Sequence, residues 1–251
     1  MDVINQTVLV NGDPFSRDRL RVMFARIGFD AISKRTDLPG YSVAEPPWRF
    51  TSLFEVRQGL HGLGATPNCG FTGLDCVPSP AVPPARPGGE SNATVLRYTA
   101  SGEFRPVPRL TFALTARAQD ASAPVMSFEE FAAGNYTAGR GYDPGSLLGD
   151  SGVGTQTEIR YGSRVPISAD KAAIEGYGFW DSAFVRAHGA LAIVDGTRHL
   201  NSVGAGARLN FDRFSFDAAL AVPLTRIGAN NRRPGASLLV SLTTRLWPWQ
   251  Y

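Results

Sequence analysis

Three groups of residues in this chain are of types that could do chemistry. The first centres on Arg140, which sits between Gly139 and Gly141 and ahead of Tyr142, within FEEFAAGNYTAGRGYDPGSLLGD (128–150). The flanking glycines let the backbone turn sharply at the arginine. Tyr136 and Tyr142 offer rigid packing surface, and Asp143-Pro144-Gly145 is a turn signal. The chemistry on offer is electrostatic. An arginine folded into a confined space needs a carboxylate, because an unpaired buried charge is costly. Asp181, in YGFWDSAFV, is the candidate partner, on the same strand face as Tyr177 and Phe179. The bland alternative is a flexible surface loop with a solvated aspartate. The second group is Cys69 and Cys76, enclosing GFTGLD in a Pro/Gly-rich stretch. They form either a local disulfide or two free thiols. The third is His61, His188 and His199, which lack ligand spacing relative to the cysteines, so no metal and no cofactor is expected. Ser, His and Asp occur without a nucleophile elbow, and the chain is not expected to be an enzyme.

The elements that must hold these residues are strands. In RLTFALTARAQ, Leu110, Phe112, Leu114, Ala116 and Ala118 take one face, and Arg109, Thr111, Ala113, Thr115, Arg117 and Gln119 the other. VGTQTEIRY, NSVGAGARLNF, FSFDAALAV, SLLVSLTTRL, RFTSLFEVRQ and LRVMFARIGF repeat this period of two. About ten strands are predicted, near 2–11, 19–28, 49–60, 92–101, 108–119, 153–162, 172–186, 199–211, 214–224 and 236–246. Soluble sandwiches also alternate. These runs, however, exceed the five or six residues usual in soluble sheets and carry Arg and Glu at mid-strand, as a wet barrel interior allows. The expected fold is therefore all-β, an antiparallel transmembrane β-barrel. Asp212–Arg213 reads as a tight turn and 61–91 and 225–235 as long loops, the asymmetry of such barrels. The span 29–48 falls at the short-turn end and fits that pattern badly.

Composition narrows the function classes. Hydrophobic content of 43% and charged content of 19% belong to a folded chain. The net charge of +3 is small and dispersed, and no nucleic-acid partner is expected. Lys34 and Lys171 are the only lysines, so the basic residues are almost all arginines, suited to forked carboxylate pairs. No run of about 18 apolar residues marks a transmembrane helix. The opening MDVINQTVLV has no signal-peptide pattern.

With these residues in view, the chain resembles the C-terminal barrel region of TpsB transporters, the haemolysin activation/secretion proteins of two-partner secretion, in the same superfamily as the BamA barrel-assembly proteins. Their sixth-loop motif Val-Arg-Gly-Tyr is matched by Gly139, Arg140, Gly141 and Tyr142. Their Ser-Glu-Gln-Phe-like segment is matched by Ser127, Glu129, Glu130 and Phe131, and their strand motif Phe-x-Asp-x-Gly by Phe179, Asp181 and Ala183. RQGLHGLGA (57–65), GSLLGDSGVGTQTEIRY, SVGAGARLNF (202–211) and AVPLTR (221–226) match in kind. The family barrel has sixteen strands, with the loop after the eleventh and the aspartate on the thirteenth. Here the loop follows the fifth of ten expected strands and Asp181 lies on the seventh, so the chain corresponds to strands seven to sixteen. Gly139 and Ala183 stand where the family has Val and Gly, and a looser fit of loop to wall is expected.

The resemblance implies an outer-membrane pore of a Gram-negative bacterium that passes an unfolded, adhesin- or haemolysin-like exoprotein. Arg140 on a re-entrant loop (128–150) in the lumen would pair with Asp181, beside Phe179, and 61–91 would be extracellular. Residues 1–251 read as a partial barrel without signal peptide or POTRA domains, a fragment that need not transport alone. Its partners would be the exoprotein, outer-membrane lipid and, through the aromatic ending RLWPWQY, the barrel-assembly machinery. A passive porin or surface barrel, and a BamA-like insertion factor, are the competing readings.

Overall fold

Polarity in this structure is inverted relative to a water-soluble protein. Glu55, Arg57, Glu129, Glu158, Glu175 and Asp181 are buried, while Ile27, Phe29, Ile174, Trp180, Leu238 and Leu242 are exposed. That inversion suits strands with lipid on one side and a polar interior on the other. The computed structural model describes residues 1–35, 37–68, 70, 82–135, 137–166, 168, 171–189, 197–227 and 232–244. The strands are β1 (Asp2–Val10), β2 (Asp13–Ile32), β3 (Trp48–Gly59), β4 (Thr94–Val107), β5 (Leu110–Ala121), β6 (Phe131–Ala133), β7 (Leu147–Gly149), β8 (Ser151–Gly162), β9 (Ala173–Arg186), β10 (Thr197–Phe211), β11 (Phe214–Pro223) and β12 (Ser237–Thr244). All but β6 and β7 form one antiparallel sheet in chain order, and those two make a separate small hairpin.

Each of the ten expected strands overlaps a strand of this sheet. Among the described residues the sheet is open, with β1 and β12 at its edges. Tight turns join β1 to β2 at Asn11-Gly12 (φ 53° and 91°) and β10 to β11 at Asp212-Arg213, with Asp212 at φ 48°. Positive φ at the first turn is what a two-residue hairpin loop of Asn-Gly type supplies.

The span 29–48 resolves into two parts. β2 extends to Ile32, four residues farther than the expected 19–28, and 33–47 is the connection to β3. Arg105 binds it by donating its backbone N–H to Pro47 O (2.7 Å) and Nη1 to Pro46 O (3.1 Å). Glu45 accepts from Ser163 Oγ (2.8 Å) and the Arg164 N–H (3.0 Å), so 33–47 and the 163–172 connection brace one another. The short-turn end thus carries two tight turns, at 108–109 and 212–213, and two longer connections, while the Asn11-Gly12 turn lies at the opposite end, a weaker asymmetry than the sequence indicates.

The face of the sheet on which 122–150 packs is here called inner. The inner positions of β9 are Ala173, Glu175, Tyr177, Phe179, Asp181, Ala183 and Val185, and the strand's burial alternates strictly through them. β1 pairs only with Asp13–Val22 of β2, whereas β3 pairs with Val22–Ile32. β1 and the first half of β2 therefore form a hairpin that projects past the end of β3.

Candidate functional site

The segment 122–150 folds back over the inner face. A turn of 3-10 helix at Ser127–Glu129 leads into the β6–β7 hairpin, whose end carries Arg140 to the wall. The hairpin end is closed by the Gly134 N–H donating to Ala138 O (2.8 Å) and the Asn135 N–H to Gly139 O (3.0 Å).

Arg140 and Asp181 meet. Arg140 donates Nη2 to Asp181 Oδ1 (2.7 Å) and Nε to Oδ2 (2.9 Å), a forked pair. Oδ2 also accepts the backbone N–H groups of Arg140 (2.9 Å) and Gly139 (3.3 Å). Asp181 is fully buried, so one carboxylate with four donors holds both the side chain and the backbone of the loop tip. The guanidinium lies 3.7 Å from the centroid of Phe179, stacked on the ring. Burial works against the charge of Arg140, but the contacts with Asp181 and Glu158 outweigh it and raise its pKa above the usual arginine value.

A feature that motif reasoning missed lies beside the pair. Arg140 Nη1 donates to Glu158 Oε1 (2.5 Å), and Glu158 also accepts from Arg160 (2.7 Å) and Arg208 (3.1 Å). Arg208 reaches Glu175 (3.0 Å) and Asp217 (2.8 Å) and stacks on Tyr177 at 3.8 Å. Arg160 reaches Glu103 (2.8 Å), which also holds Arg105 (2.8 Å). Arginines alternate with carboxylates along this chain of contacts, which suits a confined polar interior. In the sequence Glu158, Arg160, Glu175 and Arg208 stand on polar strand faces, with nothing there to set them apart from solvated charges.

The rest of the motif packs rather than pairs. Tyr142 is buried, and its hydroxyl lies 2.8 Å from Asn201 O and accepts the Thr225 N–H at 2.8 Å, tying the tip to the ends of β10 and β11. Gly139 has φ 107°, and a β-carbon there would come within 2.4 Å of Leu200 Cδ1. The expected looser fit is therefore not what the structure shows. Leu200 fills the space beside Gly139, and Ala183 is fully buried in a cluster with Phe131, Ala138, Tyr142 and Leu147. Gly141, at φ 92°, is less tightly placed, with Ala221 and Pro223 at 3.1 and 3.2 Å from where a β-carbon would lie. Tyr136, Cys69, Cys76 and the ending 245–251 lie outside the described residues.

Two further contacts hold the base of the segment. Glu129 accepts from Arg57 (2.8 Å) and Arg97 (2.6 Å) on β3 and β4. Asp150, fully buried, takes Arg86 in a forked pair (2.5 and 2.8 Å) and the backbone N–H groups of Val125 and His188 (2.6 Å each). Burial pushes the Asp150 carboxyl up, but Arg86 and the two N–H groups outweigh it and hold the pKa below its ordinary 3.8. Ser151 Oγ donates to Asp120 (3.0 Å) and lies 2.9 Å from His188 Nε2, so the serine stands between the two other groups. A nucleophilic relay has the histidine in the middle.

Residues 46–225 match the family described as haemolysin secretion/activation protein ShlB/FhaC/HecB. Among solved structures, CdiB from Escherichia coli is similar in fold, with a TM-score of 0.67 at 14% sequence identity. The similarity covers 94% of this chain and 38% of the CdiB chain, so this chain spans well under half of that structure's length. No curated protein matches the sequence. The family match extends over most of the strands and the whole re-entrant segment, and the chain belongs to the haemolysin secretion/activation protein family ShlB/FhaC/HecB, whose members are Gram-negative outer-membrane β-barrels.

Proposed function

We infer that this chain supplies wall and gate of an outer-membrane pore through which an unfolded exoprotein is secreted. The observation that carries this reading is the fixed position of the 122–150 segment across the inner face, with Arg140 paired to fully buried Asp181. A loop held by charge-assisted hydrogen bonds to strands has two arrangements available, seated and released, and the energy between them is set by a small number of contacts. Removing one partner of a buried pair costs about 3–5 kcal/mol, because the other charge is left without compensation. The polar inner face, lined by alternating arginines and carboxylates, offers an extended polypeptide a wet path with few apolar anchors. The exoprotein, adhesin- or haemolysin-like, is the partner this reading requires, and a passive porin would require none.

The test is secretion by the full-length protein carrying Arg140→Ala or Asp181→Ala. Secretion is expected to fall at least tenfold while the amount of heat-modifiable, membrane-inserted barrel stays near wild type. Wild-type secretion from both variants would overturn the reading.

A further inference from the structure

The projecting hairpin carries an arginine ladder that the network around Arg140 does not use. Its inner residues, Ser16, Asp18, Leu20 and Val22, are buried. Leu20 and Val22 pack on Met126 and Phe128, and Asp18 accepts from Ser127 Oγ (3.1 Å) and the Ala85 N–H (2.9 Å). The free edge of this half of β2 is also occupied: Arg17 N–H donates to Pro83 O (2.9 Å) and Arg19 N–H to Thr66 Oγ1 (2.8 Å). This half-strand is therefore fixed in place, and strand alternation puts Arg17, Arg19 and Arg21 on the opposite, outer face.

None of these three arginines has a carboxylate partner among the described residues. Arg17 and Arg19 are exposed, and Arg21 donates only to backbone carbonyls and Asn5 Oδ1. Their cross-strand neighbours on β1 are Thr7, Asn5 and Val3, all uncharged. Successive arginines stand about 7 Å apart along the strand. Like charges at that spacing repel unless an anion lies among them. On the inner face Arg57, Arg97, Arg140, Arg160 and Arg208 are each paired with Glu or Asp, whereas here three arginines stand in a row without a carboxylate and mark a surface for an external anion.

The same face identifies the anion. Below Arg21 the outer row continues as Met23, Ala25, Ile27, Phe29 and Ala31, with Met23, Ile27 and Phe29 well exposed. That apolar row spans about 26 Å of strand, enough at the usual tilt to cover most of a hydrocarbon band about 25 Å tall. Arg21 then stands at its upper boundary, and Arg19 and Arg17 rise about 5 and 10 Å above it at the same tilt. We propose that the outer face of the β1–β2 hairpin, through Arg17, Arg19 and Arg21, binds the phosphate-bearing head groups of outer-leaflet lipid. Guanidinium forks match phosphate oxygens two at a time, whereas an acidic polypeptide has no reason to sit directly above a lipid-facing row.

The experiment uses the full-length protein in a non-ionic detergent, titrated with bisphosphorylated lipid A, monophosphoryl lipid A and phosphatidylethanolamine, with bound lipid counted by native mass spectrometry. Each arginine near an anionic lipid surface is worth about 1 kcal/mol, roughly a fivefold change in affinity. Arg17→Gln/Arg19→Gln is expected to weaken bisphosphorylated lipid A by about 25-fold, by the same constants. Arg17→Lys/Arg19→Lys should keep most of the affinity, and wild-type binding should weaken with added salt. Equal affinity of wild type and the Gln pair for bisphosphorylated lipid A would overturn the proposal. So would equal binding of phosphatidylethanolamine, or a loss confined to an acidic segment of a secreted polypeptide. Lipid binding is read without transport, so failure here leaves the secretion reading standing, and failure of secretion leaves this one standing.

Discussion

The two fully buried aspartates of the re-entrant segment's surroundings, Asp181 and Asp150, each accept a forked arginine and two backbone N–H groups, yet they hold different things. Asp181 belongs to β9, so its pair with Arg140 fastens a loop tip to the sheet. Asp150 lies between β7 and β8, and its partners Arg86, Val125 and His188 come from three separate connections, 60–93, 122–130 and 187–196. The first contact anchors a loop to a wall; the second joins loops to one another. A wall held by nine neighbouring ladders cannot follow a departing loop, whereas linked loops can move together. Loss of Asp181 should therefore release the tip alone, and loss of Asp150 should loosen the rim while the tip stays seated.

The largest expected effect follows from Asp181→Ala. It removes four hydrogen-bond acceptances and leaves Arg140 with Glu158 alone, a cost of about 3–5 kcal/mol. The released fraction of the tip should rise by about two to four orders of magnitude. Protease cleavage within 134–146 of folded, membrane-inserted barrels measures it, and unchanged cleavage would break the comparison at its stronger end. Asp150→Asn comes next, at about 2 kcal/mol, because size and an acceptor oxygen remain while the charge opposite Arg86 is lost. Cleavage should appear in 82–93 and 122–126 and leave 134–146 protected. The partners of Arg140 and those of Asp150 share no residue, so the double variant should cost the sum within about 0.5 kcal/mol. A larger coupling would mean that the two contacts act as one unit.

Most of the sheet was legible because strand periodicity and burial are one signal: Leu110, Phe112 and Leu114 face out wherever the strand begins. The ends were less so. β2 runs from Asp13 to Ile32 rather than over 19–28, and its first part, DPFSRD, carries charged residues and a proline that hide a strand. The pairing of Arg140 with Asp181 was readable from a charge in a glycine-rich loop and a carboxylate among aromatics. Glu158 was not, because an acid on a polar strand face has no property in sequence that separates a fourfold-contacted partner from a solvated one. Asp150 escaped for a related reason. Gly149-Asp150 reads as a turn, and its partner Arg86 stands 64 positions away in a proline-rich stretch with no motif of its own.

Glycine substitutions sharpen the comparison at the tip on a finer scale. Gly139→Ala meets both a φ of 107° and Leu200 Cδ1 at 2.4 Å, and should cost about 2–3 kcal/mol. Gly139→Ala/Leu200→Ala relieves the overlap but not the dihedral. Gly145→Ala, at φ 69° with only Leu148 Cδ2 at 3.8 Å, carries backbone strain alone, about 1–2 kcal/mol. Should Gly145→Ala release the tip as far as Gly139→Ala does, close packing against β10 would not be what seats it.

The smallest effect is reached by acid rather than by substitution. The folded-state pKa of Asp150 lies below its ordinary 3.8, so the ionised form is the one the folded rim prefers. Its contribution is complete above the unfolded value, and is lost only as the pH falls through the lower, folded one. Between pH 7 and 5 the rim should not change. Below pH 3.8 an acid-active protease should begin to cut 82–93, and the onset should lie below that value rather than at it. Asp150→Asn, with no proton to gain, should be cut at a rate that no longer depends on the ionisation of this group. Opening of the wild-type rim already at pH 5 would assign the acid response to another group, and would separate the stability of the rim from the carboxylate that joins its loops.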